Sequence, residues 1–290
     1  MPELPIELPT AWGQLSGTLL LPDAGGPFTA ALLVAGSGPT DRDGNNPLLP
    51  APIDNLKRLA QALAARGIAT LRYDKRGIGA SRFPGVSEAA LRFEHLVDDA
   101  VQLGLLLQEH PAVARVVLVG HSEGALVAAL AAEDAGARAL VSVSGAGSRA
   151  SVLMRRQVEA QLPDDLSQPA LAALAALEQQ QAVDDVPDAL ALLFRPTVQP
   201  YLMSWFRHDP PAVLSSVAVP VLLVHGSADA QVTVDHASLL HAGRPDARLQ
   251  VLEGVDHLLA WQGDIGRGTE AVAAEVAGWL QALEEKAVPA

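Results

Sequence analysis

Cysteine is absent from this chain of 290 residues, and aromatic side chains make up only 4% of it. Without cysteine there is no disulfide, no thiolate nucleophile and no site where thiolates hold zinc. No apolar run approaches the roughly 18 residues of a membrane span, and the start of the chain lacks the basic and apolar segments of a signal peptide. These absences predict a soluble, cytoplasmic protein that does not enter a membrane.

Positive charge is also scarce: the chain has 20 Lys and Arg residues but 33 Asp and Glu residues, which gives a net charge of -13. An acidic chain repels the phosphates of nucleic acids and of anionic lipids. The charge balance therefore argues against a nucleic-acid partner and against a membrane-surface partner. Nothing in the composition indicates an oligomeric state. The 49% of hydrophobic residues, most of them aliphatic, predict an ordinary globular core.

Short apolar runs alternate with helical patterns along most of the chain. Strands are predicted at residues 4–8, 14–21, 29–35, 68–73, 116–119, 139–143, 220–225 and 248–252, and helices at 55–65, 91–109, 234–242 and 269–283, with a further helix directly after residue 122. Such alternation is typical of a mostly parallel central sheet with helices on both faces. Continuous apolar runs such as residues 29–35 indicate strands that are buried on both sides.

The alternation breaks at Gly145, after which only helical patterns occur until residue 216. They cover residues 151–162, 169–181, 187–194 and 201–206. An all-helical insertion at the carboxyl end of a strand is typical of a cap over the functional edge of the sheet. We therefore predict one core domain, residues 1–147 and 217–290, with a helical cap at 148–216. The alternative is that these helices only extend the core.

One stretch of the chain has the pattern of a nucleophile elbow. Residues 116–119 form an apolar strand, Gly120 to Gly124 read Gly-His-Ser-Glu-Gly, and a helix of small residues follows. That order of strand, sharp turn and helix exposes a serine at the tip of the turn. Glycine is expected at both ends because a Cβ there would collide with backbone, and because glycine relieves strained dihedral angles. The competing interpretation is an ordinary loop serine at position 122.

A nucleophilic serine needs a base within hydrogen-bond reach and an acid that orients the base. His257 is the strongest candidate base, because it lies in a glycine-containing loop after the last predicted strand, whereas the other histidines lie mostly on or beside helices. Asp229 follows the strand before that one and is the candidate acid. Asp235 is better explained as a helix-start residue, and Asp256 as a residue that stabilises its own loop.

Hydrolysis of a carbonyl compound also requires backbone N–H groups directed at the developing oxyanion. One is expected from Glu123, which follows the candidate nucleophile at the start of a helix. The second is expected from the loop of residues 36–45, which follows the strand of residues 29–35. Ser37 is the predicted donor, with Gly38 as the neighbouring alternative.

Three separated stretches resemble those of one family. Gly36 to Gly44 read Gly-Ser-Gly-Pro-Thr-Asp-Arg-Asp-Gly, Asp74 to Ser81 read Asp-Lys-Arg-Gly-Ile-Gly-Ala-Ser, and Asp209-Pro210 precedes the strand that leads to Asp229. With the elbow, they make the chain similar to the α/β-hydrolase superfamily, and in particular to bacterial carboxylesterases of the serine aminopeptidase-like branch. The resemblance implies an α/β-hydrolase fold with an inserted helical cap.

The resemblance also implies a reaction. Ser122 is the expected nucleophile, Asp229 the acid and His257 the base, with Ser37 and Glu123 as oxyanion donors. Small to medium carboxylic esters are the expected substrates, hydrolysed through an acyl-enzyme, and neither a cofactor nor a metal is implied. The same triad suits an acyl thioesterase, and it also suits an aminopeptidase or amidase. A hydrolase-like binding protein without catalysis is the alternative from a different class.

Substrate contacts are predicted less directly. Gly38, Met203, Trp205 and Phe206 are the candidate pocket residues, although the three cap residues would equally serve to seat the cap on the core. An aminopeptidase would need an acidic anchor for the substrate ammonium, for which Glu123 and two cap carboxylates, Glu159 and Asp185, are available.

The charged residues near the predicted nucleophile permit two interpretations. Glu123 departs from the apolar or amide residue that many relatives carry there, and it either disfavours anionic substrates or forms a structural pair with Arg42 or Arg76. Asp41, Arg42 and Asp43 are expected to form a salt-bridged loop scaffold, with direct substrate contact as the alternative.

Overall fold

A computed structural model describes residues 1–23, 25–85 and 87–287 of the chain, so the last three residues of the predicted core range lie outside it. The strands are β1 (Glu3–Thr10), β2 (Gly13–Leu20), β3 (Phe28–Val34), β4 (Ala69–Tyr73), β5 (Val113–His121), β6 (Leu140–Val143), β7 (Val221–Gly226) and β8 (Arg248–Leu252). The helices are α1 (Asn55–Ala64), α2 (Phe93–Glu109), α3 (Glu123–Ala131), α4 (Ala150–Gln161), α5 (Asp164–Glu178), α6 (Ala191–Phe194), α7 (Gln199–Phe206), α8 (Pro210–Ser216), α9 (Asp235–Gly243) and α10 (Ile265–Ala287).

The strands form one sheet in the order β1-β2-β4-β3-β5-β6-β7-β8. The first two strands are antiparallel to each other and to β4, and the strands from β4 to β8 pair in parallel. The predicted mostly parallel sheet is therefore confirmed. Because parallel strands end at the same edge, the loops after β3, β4, β5, β7 and β8 all meet there.

Strand β3 shows how the sheet is covered on both faces. Ala30, Leu32 and Val34 lie in one hydrophobic cluster with residues of α2, α3, α8 and α9, whereas Ala31 and Leu33 lie in a second cluster with residues of α1 and α10. Successive side chains of a strand point to opposite faces, so a strand between two helical layers is apolar at every position. The structure thus confirms that this strand is buried on both sides.

The cap helices have a hydrophobic core of their own. Its buried members are Ala150, Val158, Ala170, Ala173, Leu174, Leu177, Leu190, Phe194, Leu202 and Phe206, all from the segment between α4 and α7. Helix α8 lies inside the range predicted for the cap, but its Leu214 is buried in the main core cluster. The layer that packs as a separate cap therefore ends with α7, and the final helix of the predicted insertion packs on the core.

Two helices begin about a turn or more before the residue that the sequence pattern predicted. Helix α5 starts at Asp164 rather than Pro169, which lies in its second turn; the acidic first turn suits the helix dipole, and the proline removes only one hydrogen bond. Helix α10 starts at Ile265 despite two early glycines, and Gly268 is required because a Cβ there would collide with the Leu259 carbonyl oxygen. None of the helices within the described ranges combines the length and hydrophobicity that a bilayer crossing requires.

Candidate active site

Ser122 occupies the turn between β5 and α3 with φ 56° and ψ −119°, and its backbone N–H donates to the Val143 carbonyl oxygen at 2.9 Å. A Cβ on Gly120 would collide with backbone of Gly124, and a Cβ on Gly124 would collide with the Val34 carbonyl oxygen. Both glycines are therefore needed for close approach of backbone, as expected. The strained dihedral angles are instead those of the serine itself.

The three predicted triad residues are brought together. The Ser122 hydroxyl lies 3.1 Å from Nε2 of His257, and Nδ1 of His257 lies 2.8 Å from Oδ2 of Asp229. Because Nδ1 faces a carboxylate, it carries the ring proton, which leaves Nε2 free to accept the hydroxyl proton. Serine, imidazole and carboxylate form one continuous hydrogen-bonded chain.

Asp229 is held in place by its own turn. Its Oδ1 accepts the backbone N–H groups of Gln231 at 3.0 Å and Val232 at 2.8 Å. Burial raises the pKa of this carboxyl, but the hydrogen bonds from His257 and Val232 outweigh burial and leave the pKa below its ordinary value. Asp229 is therefore ionised at neutral pH and can stabilise a protonated imidazole.

His121 supports the loop of His257. Its Nε2 lies 2.8 Å from the His257 carbonyl oxygen, so Nε2 carries the proton and donates it. Burial is the largest cause that lowers the pKa of His121, to about 4. His121 is therefore a neutral imidazole that fixes the backbone of His257.

The loop after β3 passes directly against Ser122. A Cβ added to Gly36 would lie 3.3 Å from the Ser122 Cβ, so a side chain at this position would press on the nucleophile. Ser37 and Gly38 come next and line the cavity in front of it, as does Glu123. The hydroxyl of Thr40 donates to the Ser37 carbonyl oxygen at 3.0 Å, which steadies this turn. Of the two predicted oxyanion donors, Glu123 thus follows Ser122 in the chain, and Ser37 lies in the loop that passes against it.

Glu123 forms a buried ion pair, but with a partner that the sequence did not predict. Its Oε2 lies 2.9 Å from Nζ of Lys75, and the side chain of Glu123 is 1% exposed. Arg42 and Arg76, the partners expected from the sequence, pair with two other carboxylates. A signal was available, because Lys75 directly follows a strand and so lies at the same sheet edge as Ser122.

The segment Asp41-Arg42-Asp43 makes structural contacts. Asp41 accepts the backbone N–H of Asp43 at 2.9 Å, Arg42 binds Asp74, and Asp43 binds Arg72 at 2.8 Å. None of these three residues belongs to the cavity wall. Their contacts agree with the expected loop scaffold. In the described part of the chain, no three His, Asp or Glu side chains are grouped as a metal site requires.

A family model described as "Alpha/beta hydrolase family" matches residues 17–275. The chain belongs to this family. Esterase EstD of Thermotoga maritima is 28% identical over 249 residues, an overlap that covers 84% of this alpha/beta hydrolase and 58% of EstD. The chain thus spans little more than half the length of this curated relative. Family membership and an esterase among the relatives support hydrolase activity.

Solved structures share the fold of this alpha/beta hydrolase. Est1E from Butyrivibrio proteoclasticus matches with a TM-score of 0.65 at 16% identity, covering 96% of this chain and 99% of Est1E. Proline iminopeptidase from Mycobacterium smegmatis matches with a TM-score of 0.67 at 18% identity, covering 98% of this chain and 100% of the other. At these identities the likeness concerns the fold, and an esterase and a peptidase both have it.

In this alpha/beta hydrolase a cavity of about 1050 Å³ opens in front of Ser122, between core and cap. Its wall is mainly apolar and includes Leu126, Leu153, Met154, Tyr201, Leu202 and Trp205. Such a volume suits a ligand of drug size. Ser122 therefore faces a space with room for an apolar group.

The predicted pocket residues divide into two pairs. Gly38 and Trp205 line the cavity. Phe206 is 3% exposed and lies in the cap core, and Met203 packs against that core. Neither of these two residues is among those that line the cavity. Trp205 also stacks on Phe93 of α2 at 5.7 Å, so it both lines the cavity and seats the cap.

Proposed function

We propose that this protein is a serine carboxylesterase that hydrolyses small to medium carboxylic esters through an acyl-enzyme on Ser122. The observation that carries the proposal is the hydrogen-bonded chain from Ser122 through His257 to Asp229, with distances of 3.1 and 2.8 Å. Ser122, at one end of this hydrogen-bonded series, lines an apolar cavity that is large enough for both the acyl and the alcohol part of such an ester. The order Ser, Asp, His along the sequence agrees with the family's arrangement.

In the proposed reaction, the Ser122 oxygen attacks the ester carbonyl while Nε2 of His257 takes its proton. Asp229 stabilises the imidazolium, and the backbone N–H groups of Ser37 and Glu123 stabilise the oxyanion. The intermediate collapses as His257 gives the proton to the leaving alcohol. A water molecule then loses a proton to His257 and attacks the acyl-enzyme. As the bond between the acyl carbon and the Ser122 oxygen breaks, His257 gives this proton to the serine oxygen and the carboxylic acid is released.

The charges in the cavity wall favour an ester over an aminoacyl substrate. An aminopeptidase needs a free carboxylate for the substrate ammonium, yet Glu123 is paired with Lys75 and Glu88 with Arg195. Glu159 and Asp185, the other candidates for such an anchor, do not belong to the cavity wall. These pairs and positions weigh against the aminopeptidase alternative.

The basic residues of the wall weigh against an acyl-CoA thioesterase. Lys75, Arg76 and Arg195 line the cavity and are each bound to a carboxylate, whereas Arg82 lines it without an ion pair among the described residues. Phosphates of coenzyme A would find one unpaired cation in this wall, and the net charge of -13 adds long-range repulsion. An oxygen ester with an uncharged leaving group fits this wall better.

The test of the proposal is hydrolysis of p-nitrophenyl esters from acetyl to long acyl chains, with an aminoacyl p-nitroanilide in parallel. Ser122→Ala should lower ester turnover by several orders of magnitude, whereas Ser215→Ala should leave it unchanged, since that hydroxyl bonds only within its own helix. Wild type that is no more active than folded Ser122→Ala on every ester would contradict the proposal.

Labelling with a serine-directed fluorophosphonate addresses the alternative of a binding protein without catalysis. Wild type should gain one covalent adduct, detected by mass spectrometry, and Ser122→Ala should gain none. Because the phosphonate needs no matching acyl group, this result does not depend on having found the right substrate. Wild type that stays unlabelled would support the non-catalytic alternative.

The cavity wall can be tested with neighbouring residues of α7. Trp205→Ala should move the optimum toward longer acyl chains, because the indole occupies part of the wall. Phe206→Ala is the matched control, since this ring lies in the cap core and removing it should leave the optimum unchanged. Equal shifts in both variants would mean that the cap moves as a whole and that Trp205 does not set the length of the pocket.

A further inference from the structure

Lys75 is buried beside the nucleophile and is bound to two acceptors. Its Nζ donates to the Gly36 carbonyl oxygen at 2.9 Å and to Oε2 of Glu123 at 2.9 Å. Only 8% of the residue is exposed. An ammonium group is costly to remove from water, and the mechanism proposed above does not use this one. Its two acceptors indicate what it does.

The first acceptor belongs to the peptide unit of an oxyanion donor. The carbonyl of Gly36 and the N–H of Ser37 are the two ends of one planar trans peptide, so they point in opposite directions. A cation fixed on the carbonyl oxygen sets the plane of that peptide and thereby the direction of the Ser37 N–H. It also polarises the amide, which makes the N–H a stronger donor.

The second acceptor is the side chain of the other donor residue. Glu123 contributes its backbone N–H to the oxyanion, and its carboxylate receives the second hydrogen bond of Lys75. The remaining oxygen, Oε1, is buried and has no hydrogen-bond partner among the described residues. Lys75 is therefore the hydrogen-bond donor that holds this carboxylate, and one ammonium group links both donor residues.

The sheet order explains how a residue of β4 reaches this position. Strand β4 pairs with β3, and β3 pairs with β5. Lys75, Gly36 and Ser122 each follow one of these three neighbouring strands, so their backbones end side by side at one edge. The long side chain of Lys75, which follows β4, therefore reaches both Gly36 in the loop after β3 and Glu123 after β5.

We infer that Lys75 is a positioning residue for the oxyanion hole: it fixes the spacing of the Ser37 and Glu123 N–H groups and strengthens the first of them. This inference rests on the proposed esterase function. It assigns no contact between Lys75 and the substrate. The expected effect lies in the transition state, because the oxyanion forms only there, and not in binding of the ground-state ester.

The test compares Lys75→Met with wild type on an ester of the preferred chain length. Complete loss of one oxyanion donor costs about 100- to 1000-fold in kcat, so a weakened and misdirected donor should cost about 10- to 100-fold, with KM nearly unchanged. Affinity for a trifluoromethyl ketone, whose adduct with Ser122 carries an oxyanion, should fall by a similar factor. If Lys75 only stabilised the fold, Lys75→Met would lower the Tm, but kcat and the affinity for the ketone would not fall by similar factors.

Two further variants separate positioning from folding. Lys75→Met combined with Glu123→Leu leaves no unpaired carboxylate, so it should recover stability while kcat stays low. Arg72→Met is the matched control, because it also removes a buried cation from its carboxylate partners, Asp43 and Glu3, but Arg72 touches neither donor peptide and does not line the cavity. Its kcat per folded molecule should remain near that of wild type.

The inference is overturned if the folded double variant keeps the wild-type kcat and inhibitor affinity, or if only KM changes. It is equally overturned if Arg72→Met loses as much kcat per folded molecule as Lys75→Met. Failure of the esterase proposal would look different, since wild type would then be no more active than Ser122→Ala. The set of variants therefore tests each statement on its own.

Discussion

Replacing His121 with glutamine should make the fold less sensitive to acid. In the native state the imidazole is buried against the His257 loop, and its pKa falls from the ordinary 6.5 to about 4, chiefly through burial. In the unfolded chain it returns to the ordinary value. Between these two pH values the unfolded state binds a proton that the native state does not, so acid favours unfolding.

The magnitude follows from the difference between the two pKa values. The fall from 6.5 to about 4, at about 1.4 kcal/mol for each pH unit, corresponds to about 3 kcal/mol. Because the native pKa is the lower one, this stability is fully present above pH 6.5 and is lost as the pH falls toward 4. Glutamine does not titrate, yet its amide N–H can donate to the same carbonyl.

The assay is urea unfolding of both proteins at intervals between pH 4 and pH 7.5. Wild type should lose about 3 kcal/mol more than His121→Gln across this range. Other buried histidines with lowered pKa values, such as His225 and His236, are present in both proteins and largely cancel in the comparison. Parallel curves of unfolding free energy against pH would refute the assignment of His121 as a neutral buried imidazole.

Three other substitutions test the packing around the site. Arg76→Met leaves Asp99 buried and unpaired, so urea unfolding should show a loss of about 3–5 kcal/mol; no loss would contradict the pair. Gly124→Ala places a Cβ against the Val34 carbonyl oxygen and should yield little soluble protein, whereas a soluble variant with wild-type Tm would refute that contact. Phe206→Ala empties part of the cap core and should cost about 3–5 kcal/mol by the same assay, an unchanged stability being the contrary result.

The fold was predictable because its sheet is covered on both sides. Continuous apolar runs such as residues 29–35 are short and follow turns, which is typical of strands between two helical layers. Helix ends were less predictable. Pro169 suggested a helix start, but the preceding residues already form a turn of α5, and no local pattern distinguishes a proline in the second turn from one in the first.

The grouping of Ser122, Asp229 and His257 was predictable because each of them follows its own strand in a fixed order. The partner of Glu123 was predictable only as far as the sheet edge. Lys75 and Arg76 both follow β4, and no local pattern shows that Lys75 binds Glu123 while Arg76 binds Asp99. For Met203 and Phe206, the spacing along α7 does not show whether a side chain reaches the cavity.

The backbone dihedral angles of Ser122 bear on how natural selection acts at this position. Its φ of 56° and ψ of −119° lie in a region that glycine enters freely and that costs other residues about 1–3 kcal/mol. Selection for stability alone would favour glycine at position 122. A serine persists there only if its hydroxyl is worth more to the cell than the stability it removes. The elbow is thus a place where natural selection for activity and for stability act against each other.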